Sequence, residues 1–234
     1  MIAPSVGSIL LVIHSWQMIF YVLSFYSIIV LMLAAKYLPE VVRNSKHQGE
    51  KISFLARYKI VFSNSEARLD IMSSMIISLA FFAYITAIPF VYLTVFQMSE
   101  FSFSIIFGIT VVALMSAHFI NTRLVVRKGS RKMLRYGLTL SVIASTALLL
   151  ANLFTMPIIF TVVSILPLMG SISMVAVNSD ALVLTKFPEQ SGTATAVIGT
   201  LRFGIGALAG PILAYFFDGS ALPFAGLMFS SVML

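Results

Sequence analysis

Eight apolar runs divide this 234-residue chain, and its positive charge falls almost entirely between alternate pairs of them. The runs cover residues 1–13, 18–38, 70–96, 102–120, 134–153, 157–185, 193–217 and 221–234. A bilayer core about 30 Å thick needs about 20 apolar residues per helix. Six runs meet that length. The first and last, with 13 and 14 residues, would reach only about 20 Å at 1.5 Å per residue, and read as helices cut short. Barrel strands would be about 10 residues of alternating polarity, whereas Phe20–Leu33 and Leu138–Leu150 are apolar on all sides. The expectation is an all-α membrane protein with six complete transmembrane helices and two truncated ones.

The charges orient it. The second connection and its flanks carry Lys36, Arg43, Lys46, Lys51, Arg57, Lys59 and Arg68. The fourth carries Arg123, Arg127, Lys128, Arg131, Lys132 and Arg135, and the sixth carries Lys186. The odd connections carry none. Basic residues near span ends stay on the cytoplasmic side, so the even connections are expected there. Lys36 and Arg135 sit at the flanks of their runs, and Arg202 alone lies deep inside one.

Composition agrees. The chain is 59% hydrophobic and 10% charged, with mean hydropathy +1.02, against about 25% charged in soluble domains. A net charge of +7 raises the question of nucleic acid. Charges held in short loops beside apolar helices instead suit anionic headgroups and topology, so the expected partner is the lipid bilayer. With no Cys, disulfides, thiol catalysis and Cys-based metal sites are excluded. No basic segment precedes the first run, as a cleavable signal would require. No phosphate loop ending in Gly-Lys-Ser/Thr supports ATP hydrolysis. His14, His47 and His118 lie in or near loops without metal-ligand spacing, and His118 reads as interfacial. No cofactor is expected.

Four features carry candidate chemistry. Arg202 follows Gly192 by ten residues, roughly 15 Å into its helix. A central Arg costs about 2.5–3.5 kcal/mol even on a mild insertion scale, so it needs a partner or a water-filled cavity. Asp180, in Asn178-Ser179-Asp180, is read as the only acidic residue inside a span. The two helices form a hairpin through Pro188–Gly192, which brings Asp180 and Arg202 to depths within roughly 3 Å. An Asp180–Arg202 ion pair is the hypothesis. The competing readings are an arginine bonded to carbonyls and an aspartate in headgroup water. Pro89, flanked by Tyr84 and Tyr92, removes a backbone donor and is expected to bend its helix and free carbonyls toward a cavity. Aromatics with a few hydroxyls suit flat, poorly polar ligands, although helix packing explains the same residues. Gly206–Gly210 forms a small-xxx-small face for close helix approach. Gly129 permits a tight turn between the charges of Arg127-Lys128-Gly129-Ser130-Arg131.

These stretches together resemble a family. Ala3-Pro4-Ser5-Val6-Gly7 followed by Trp16-Gln17-Met18-Ile19-Phe20 resembles the fifth-helix antiporter motif of the major facilitator superfamily and the signature after it. Leu38-Pro39-Glu40 resembles the end of helix six and Pro89-Phe90-Val91-Tyr92 resembles helix seven. Asn121–Arg131 resembles the degenerate second copy of the Gly-x-x-x-Asp-Arg-x-Gly-Arg-Arg loop. Asn178, Phe187-Pro188-Glu189 and Ser191-Gly192-Thr193-Ala194 resemble the tenth-to-eleventh region, and Arg202-Phe203-Gly204-Ile205-Gly206-Ala207 resembles helix eleven. The pattern is most similar to the Bcr/CflA-type drug-resistance group. Gln17 stands where that group often has Arg, Ser8 where the antiporter motif often has Gly, and Asn121 and Arg127 replace Gly- and Asp-type loop positions.

The resemblance implies a proton-coupled drug antiporter of the bacterial inner membrane with two six-helix bundles, driven by the proton gradient. Residues 1–38 would end the first bundle, 39–69 would be a cytoplasmic linker, and 70–234 would form helices seven to eleven and the start of twelve. Four amino-terminal helices would be missing. Arg202, Asp180 and Asn178 would serve substrate or coupling, with Tyr84, Pro89 and Tyr92 shaping the cavity for a small amphipathic drug-like substrate. Pro4, Gly7, Arg127, Gly129 and Arg131 would belong to conformational motifs. A membrane-embedded enzyme would need polar residues clustered at one interface, which the sequence lacks. A non-transporting subunit or remnant stays open.

Overall fold

The structure, a computed structural model, describes residues 16–37 and 54–234. Pro4 and Gly7 lie outside the described residues. No strand occurs among the described residues, and six helices are long and apolar enough to cross a membrane. The chain forms two compact units, 1–51 and 52–234. The first contributes α1 (Trp16–Tyr37), 22 residues ending on Lys36 in its last turn.

The second unit is the helical bundle. It contains α2 (Phe54–Ser63), α3 (Ser65–Phe90), α4 (Glu100–Lys128), α5 (Ser130–Leu153), α6 (Ile158–Lys186), α7 (Ser191–Gly206), α8 (Ala209–Phe216) and α9 (Leu222–Met233). Local chemistry sets the ends. The Asn64 side chain accepts the Ala67 N–H at 3.0 Å, capping α3 with Glu66 in its first turn. Ser99 caps α4 through the Ser102 N–H, Glu100 follows, and Arg127 and Lys128 close the helix. Pro188 opens a short 3₁₀ turn, Pro188–Gln190, ahead of α7.

Four boundaries differ from the sequence reading, each for a local reason. Residues 54–69, expected in the linker, are helical apart from Asn64. Val61 and Ala67 are fully buried there, packing with Ile71, Val183, Ala194 and Val197. The six-charge connection is helix apart from Gly129, whose φ of 78° turns the chain at once from α4 into α5. α4 therefore runs through Asn121 and Arg123, and His118 lies within the helix, ten residues before its end. The 193–217 run breaks at Ala207–Leu208 into α7 and α8.

In lipid, close packing and interhelical hydrogen bonds hold helices together more than apolar burial does. α6 is the hub, packed against α3, α4 and α5. Small residues permit this. A Cβ at Gly137 would lie 2.9 Å from Val175, and one at Gly170 2.9 Å from Ala117. The main core joins Ala80, Ala83, Ile88, Leu148, Ile165, Leu168, Ile172 and Met228.

Candidate functional site

α3, α6 and α7 meet around Arg202. Its Nη2 donates to Asp180 Oδ2 at 2.7 Å and Oδ1 at 2.9 Å, and to Ser74 Oγ at 2.8 Å. Its Nε donates to Ser78 Oγ at 3.1 Å. Ser74 in turn donates to Asp180 Oδ1 at 2.6 Å, and Ser78 donates to the Ser74 carbonyl. The spacing of Ser74 and Ser78 puts both hydroxyls on one face of α3. Both serines are buried, while the Asp180 and Arg202 side chains keep 26% and 28% exposure. The pair is thus anchored on the protein side and open on the other. Nη1 makes no hydrogen bond among the described residues, leaving two donors for whatever occupies the open side.

A second ionic cluster closes the basic end of the bundle. Asp70 of α3 is 1% exposed. It accepts from Arg131 Nη1 at 2.8 Å and Nη2 at 3.4 Å, and from Lys186 Nζ at 3.0 Å. One carboxylate thereby ties α3 to the first turn of α5 and the last residue of α6. The sequence reading missed it and treated Asp180 as the only acid inside a span. The available signal was Asp70 itself, the first residue of the 70–96 run. Starting α3 at Ser65 moves it into the second turn.

The other candidates separate. Asn178 faces away from Arg202. Its amide donates to Asn121 Oδ1 at 2.7 Å and to the Met174 carbonyl at 2.8 Å, a buried bond between α4 and α6. One turn away His118 Nε2 meets Ser173 Oγ at 2.5 Å. Tyr84 and Tyr92 are 3% and 0% exposed. Tyr84 stacks on Phe107 at 6.4 Å, and Tyr92 meets Phe103 edge-on at 6.2 Å. They sit between α3 and α4, where the Tyr92 hydroxyl finds no hydrogen-bond partner among the described residues. Pro89 stays within α3, which continues as a π turn, Val91–Val95. Its neighbours Thr86, Ala87, Phe90 and Val91 line a cavity of about 320 Å³ with Leu213, Phe217 and Phe224 of the later segments. Arg127 is exposed and makes no ion pair among the described residues, unlike Arg131. The Gly206 face packs on α3, against Phe82 and Thr86.

A family comparison bears on this arrangement. The Major Facilitator Superfamily matches residues 1–211. The chain belongs to the major facilitator superfamily. Members are membrane transporters, and the six apolar spans make this an integral, multi-pass membrane protein. The chain is 25% identical over 235 residues to the bicyclomycin resistance protein homolog of Haemophilus influenzae. It is 27% identical over 239 residues to the uncharacterized MFS-type transporter YdgK of Bacillus subtilis. All of this chain is covered in both comparisons, but only 59% of each relative. This major facilitator chain therefore spans about three fifths of the length of the curated relatives it matches.

Proposed function

We propose that the chain forms the greater part of a proton-coupled multidrug exporter of the bacterial inner membrane, with the basic end of the bundle cytoplasmic. The reading makes it a secondary transporter rather than an enzyme. Its substrate is a small amphipathic drug and its energy source the proton gradient. Alternating access in such proteins rocks one helical bundle against another around a site near the midplane. The observation that carries the reading is the half-open Arg202–Asp180 pair, roughly 16 Å along α7 from Ser191. A charged pair at that depth persists only where it faces protein partners or a water-filled path. Similarity to a bicyclomycin resistance protein homolog supports drug export.

In this reading the Asp180 carboxylate is the proton acceptor and Arg202 is its ion-pair partner between cycles. Proton arrival at Asp180 would release the guanidinium toward the open side, where its free donors meet substrate. Asp70, Arg131 and Lys186 hold the basic ends of three helices as one rigid unit during rocking. The further length of the relatives, read here as amino-terminal helices, would complete the cavity.

The test uses the full-length protein in a host lacking its own exporters. Drug accumulation is compared for the wild type, Arg202→Ala, Arg202→Lys and Asp180→Asn. Loss of export in Asp180→Asn together with loss of drug-induced proton release supports the assignment. Unchanged export in both Asp180→Asn and Arg202→Ala removes it.

A further inference from the structure

The turn joining α4 to α5 gathers more positive charge than its contacts use. Six basic residues lie within 123–135, and Gly129 alone separates the two helices. All six are exposed. Arg131 is neutralised by Asp70. Arg123, Arg127, Lys128, Lys132 and Arg135 have no carboxylate partner among the described residues. Several stand four apart on one helix face, as Arg123 and Arg127 or Arg131 and Arg135 do, a spacing at which like charges repel.

Two rings shape the patch. Arg123 lies over the Phe119 ring at 5.1 Å, and Lys128 over the Tyr136 ring at 4.8 Å. Phe119 is 62% exposed and Tyr136 50%, with Val126 beside them at 85%. Apolar surface thus lies directly against cation-bearing surface, at the end of two membrane-spanning helices. An aromatic ring of this kind sits at headgroup level, with its apolar body toward acyl chains and its polar neighbours toward phosphate. Topology alone asks for a number of charges near a span end. It does not ask that they be carried on exposed rings and left without acid partners.

We propose that the basic α4–α5 turn is a binding site for an anionic phospholipid headgroup. Lipid phosphate takes Arg123, Arg127 and Lys128 as its cations, and the acyl chains lie along Phe119, Val126 and Tyr136. Five uncompensated charges favour a headgroup with two phosphates over one with a single phosphate. The site is separate from the Arg202 network and is independent of what the protein transports.

The test is native mass spectrometry of the full-length protein in detergent with added cardiolipin, phosphatidylglycerol or phosphatidylcholine. The wild type retains cardiolipin most strongly and phosphatidylcholine least, and excess inorganic phosphate does not displace the lipid. Arg123→Gln/Arg127→Gln/Lys128→Gln weakens retention about a hundredfold, from the attraction each basic residue contributes at an anionic surface. Lys36→Gln/Lys59→Gln/Arg68→Gln removes the same charge elsewhere and leaves retention unchanged. Phe119→Ala/Tyr136→Ala keeps every charge, and with it the orientation signal, and weakens retention about tenfold. Equal retention of the three lipids overturns the site. So does equal loss in the two triple variants, or full retention in the ring variant.

Discussion

The Arg202 guanidinium and the Asp180 carboxylate meet at 2.7 Å across the α6–α7 hairpin, 22 residues apart in sequence. Ser74 bridges them by accepting from one and donating to the other. Removing either charge leaves the other facing a low-dielectric interior, which costs more than removing both. Arg202→Ala is expected to destabilise the full-length protein by about 1–3 kcal/mol, less than a fully buried pair because a quarter of each side chain is exposed. Arg202→Ala/Asp180→Ala recovers part of that loss. Thermal unfolding in detergent of both singles and the double gives the coupling. Strictly additive losses would show that the contact contributes nothing.

Asp70 is more buried than Asp180 and serves two cations. Asp70→Asn keeps the shape but abandons Lys186, whose side chain is 18% exposed, and Arg131. A loss of about 3 kcal/mol is expected, with loosening of the basic ends of α3, α5 and α6. Hydrogen exchange at those ends, compared with the far ends of the same helices, measures it. Protection unchanged at residues 130–137 and 182–186 would exclude the staple.

The family resemblance groups Asn178 with Arg202 and Asp180, and it lies two positions from Asp180. A helix turns about 200° over two residues, so the two side chains serve different neighbours. Asn178→Ala leaves the Asn121 Oδ1 acceptor without its donor in the α4–α6 contact and costs about 1–3 kcal/mol. Drug export per folded molecule stays at the wild-type level. Surface-normalised export assays check this, and a specific export defect would return Asn178 to the site.

The spans, their number and the Arg202–Asp180 contact were legible because each rests on a local property. Apolar runs give helices, and a hairpin with a fixed rise per residue brings two charges to one depth. Asp70 was hidden by a boundary. A polar start, Asn64-Ser65-Glu66, reads as loop until the Asn64 cap makes it the first turn of a helix. His118 and Asn121 were hidden the same way, since a basic helix end resembles a loop when only hydropathy is followed. Tyr84 and Tyr92 illustrate a third limit. They lie on α3 and on the π turn that continues it, and only packing decides that their side meets α4.

The small-residue face separates into two unequal positions. A Cβ at Gly206 would overlap the Phe82 ring, lying 2.7 Å from its Cγ, so the ring cannot swing clear by moving its far edge alone. At Gly210 the nearest atom is Thr86 Cγ2 at 3.8 Å, ordinary contact. Gly206→Ala is expected to cost about 1–3 kcal/mol through overpacking. Gly210→Ala is neutral or stabilising by up to about 1 kcal/mol, because Gly in a helix gives up more backbone entropy. Unfolding of the two variants side by side decides whether the α7–α3 approach is as close as the structure shows.

Asp218 lies in the short connection between α8 and α9, outside the spans. The Ser220 hydroxyl donates to its Oδ1 at 2.7 Å and the Ser220 N–H at 2.9 Å. These bonds, the hydroxyl first, hold its carboxyl below the usual carboxylate value. A carboxylate whose folded value is depressed stabilises the fold above its unfolded value, about 3.9, and that contribution disappears as pH falls through the lower folded value. Ser220→Ala removes the larger cause and keeps the backbone bond. The Asp218 titration is then expected to move up toward the ordinary range without reaching it, as read from carboxyl carbon shifts in a labelled sample. The same substitution removes the Ser220 Oγ acceptor of the Leu222 N–H at 3.1 Å. The start of α9 should therefore fray at every pH, separating this structural effect from the pH-dependent one. An Asp218 titration identical in Ser220→Ala and wild type would show that the turn does not hold this carboxylate.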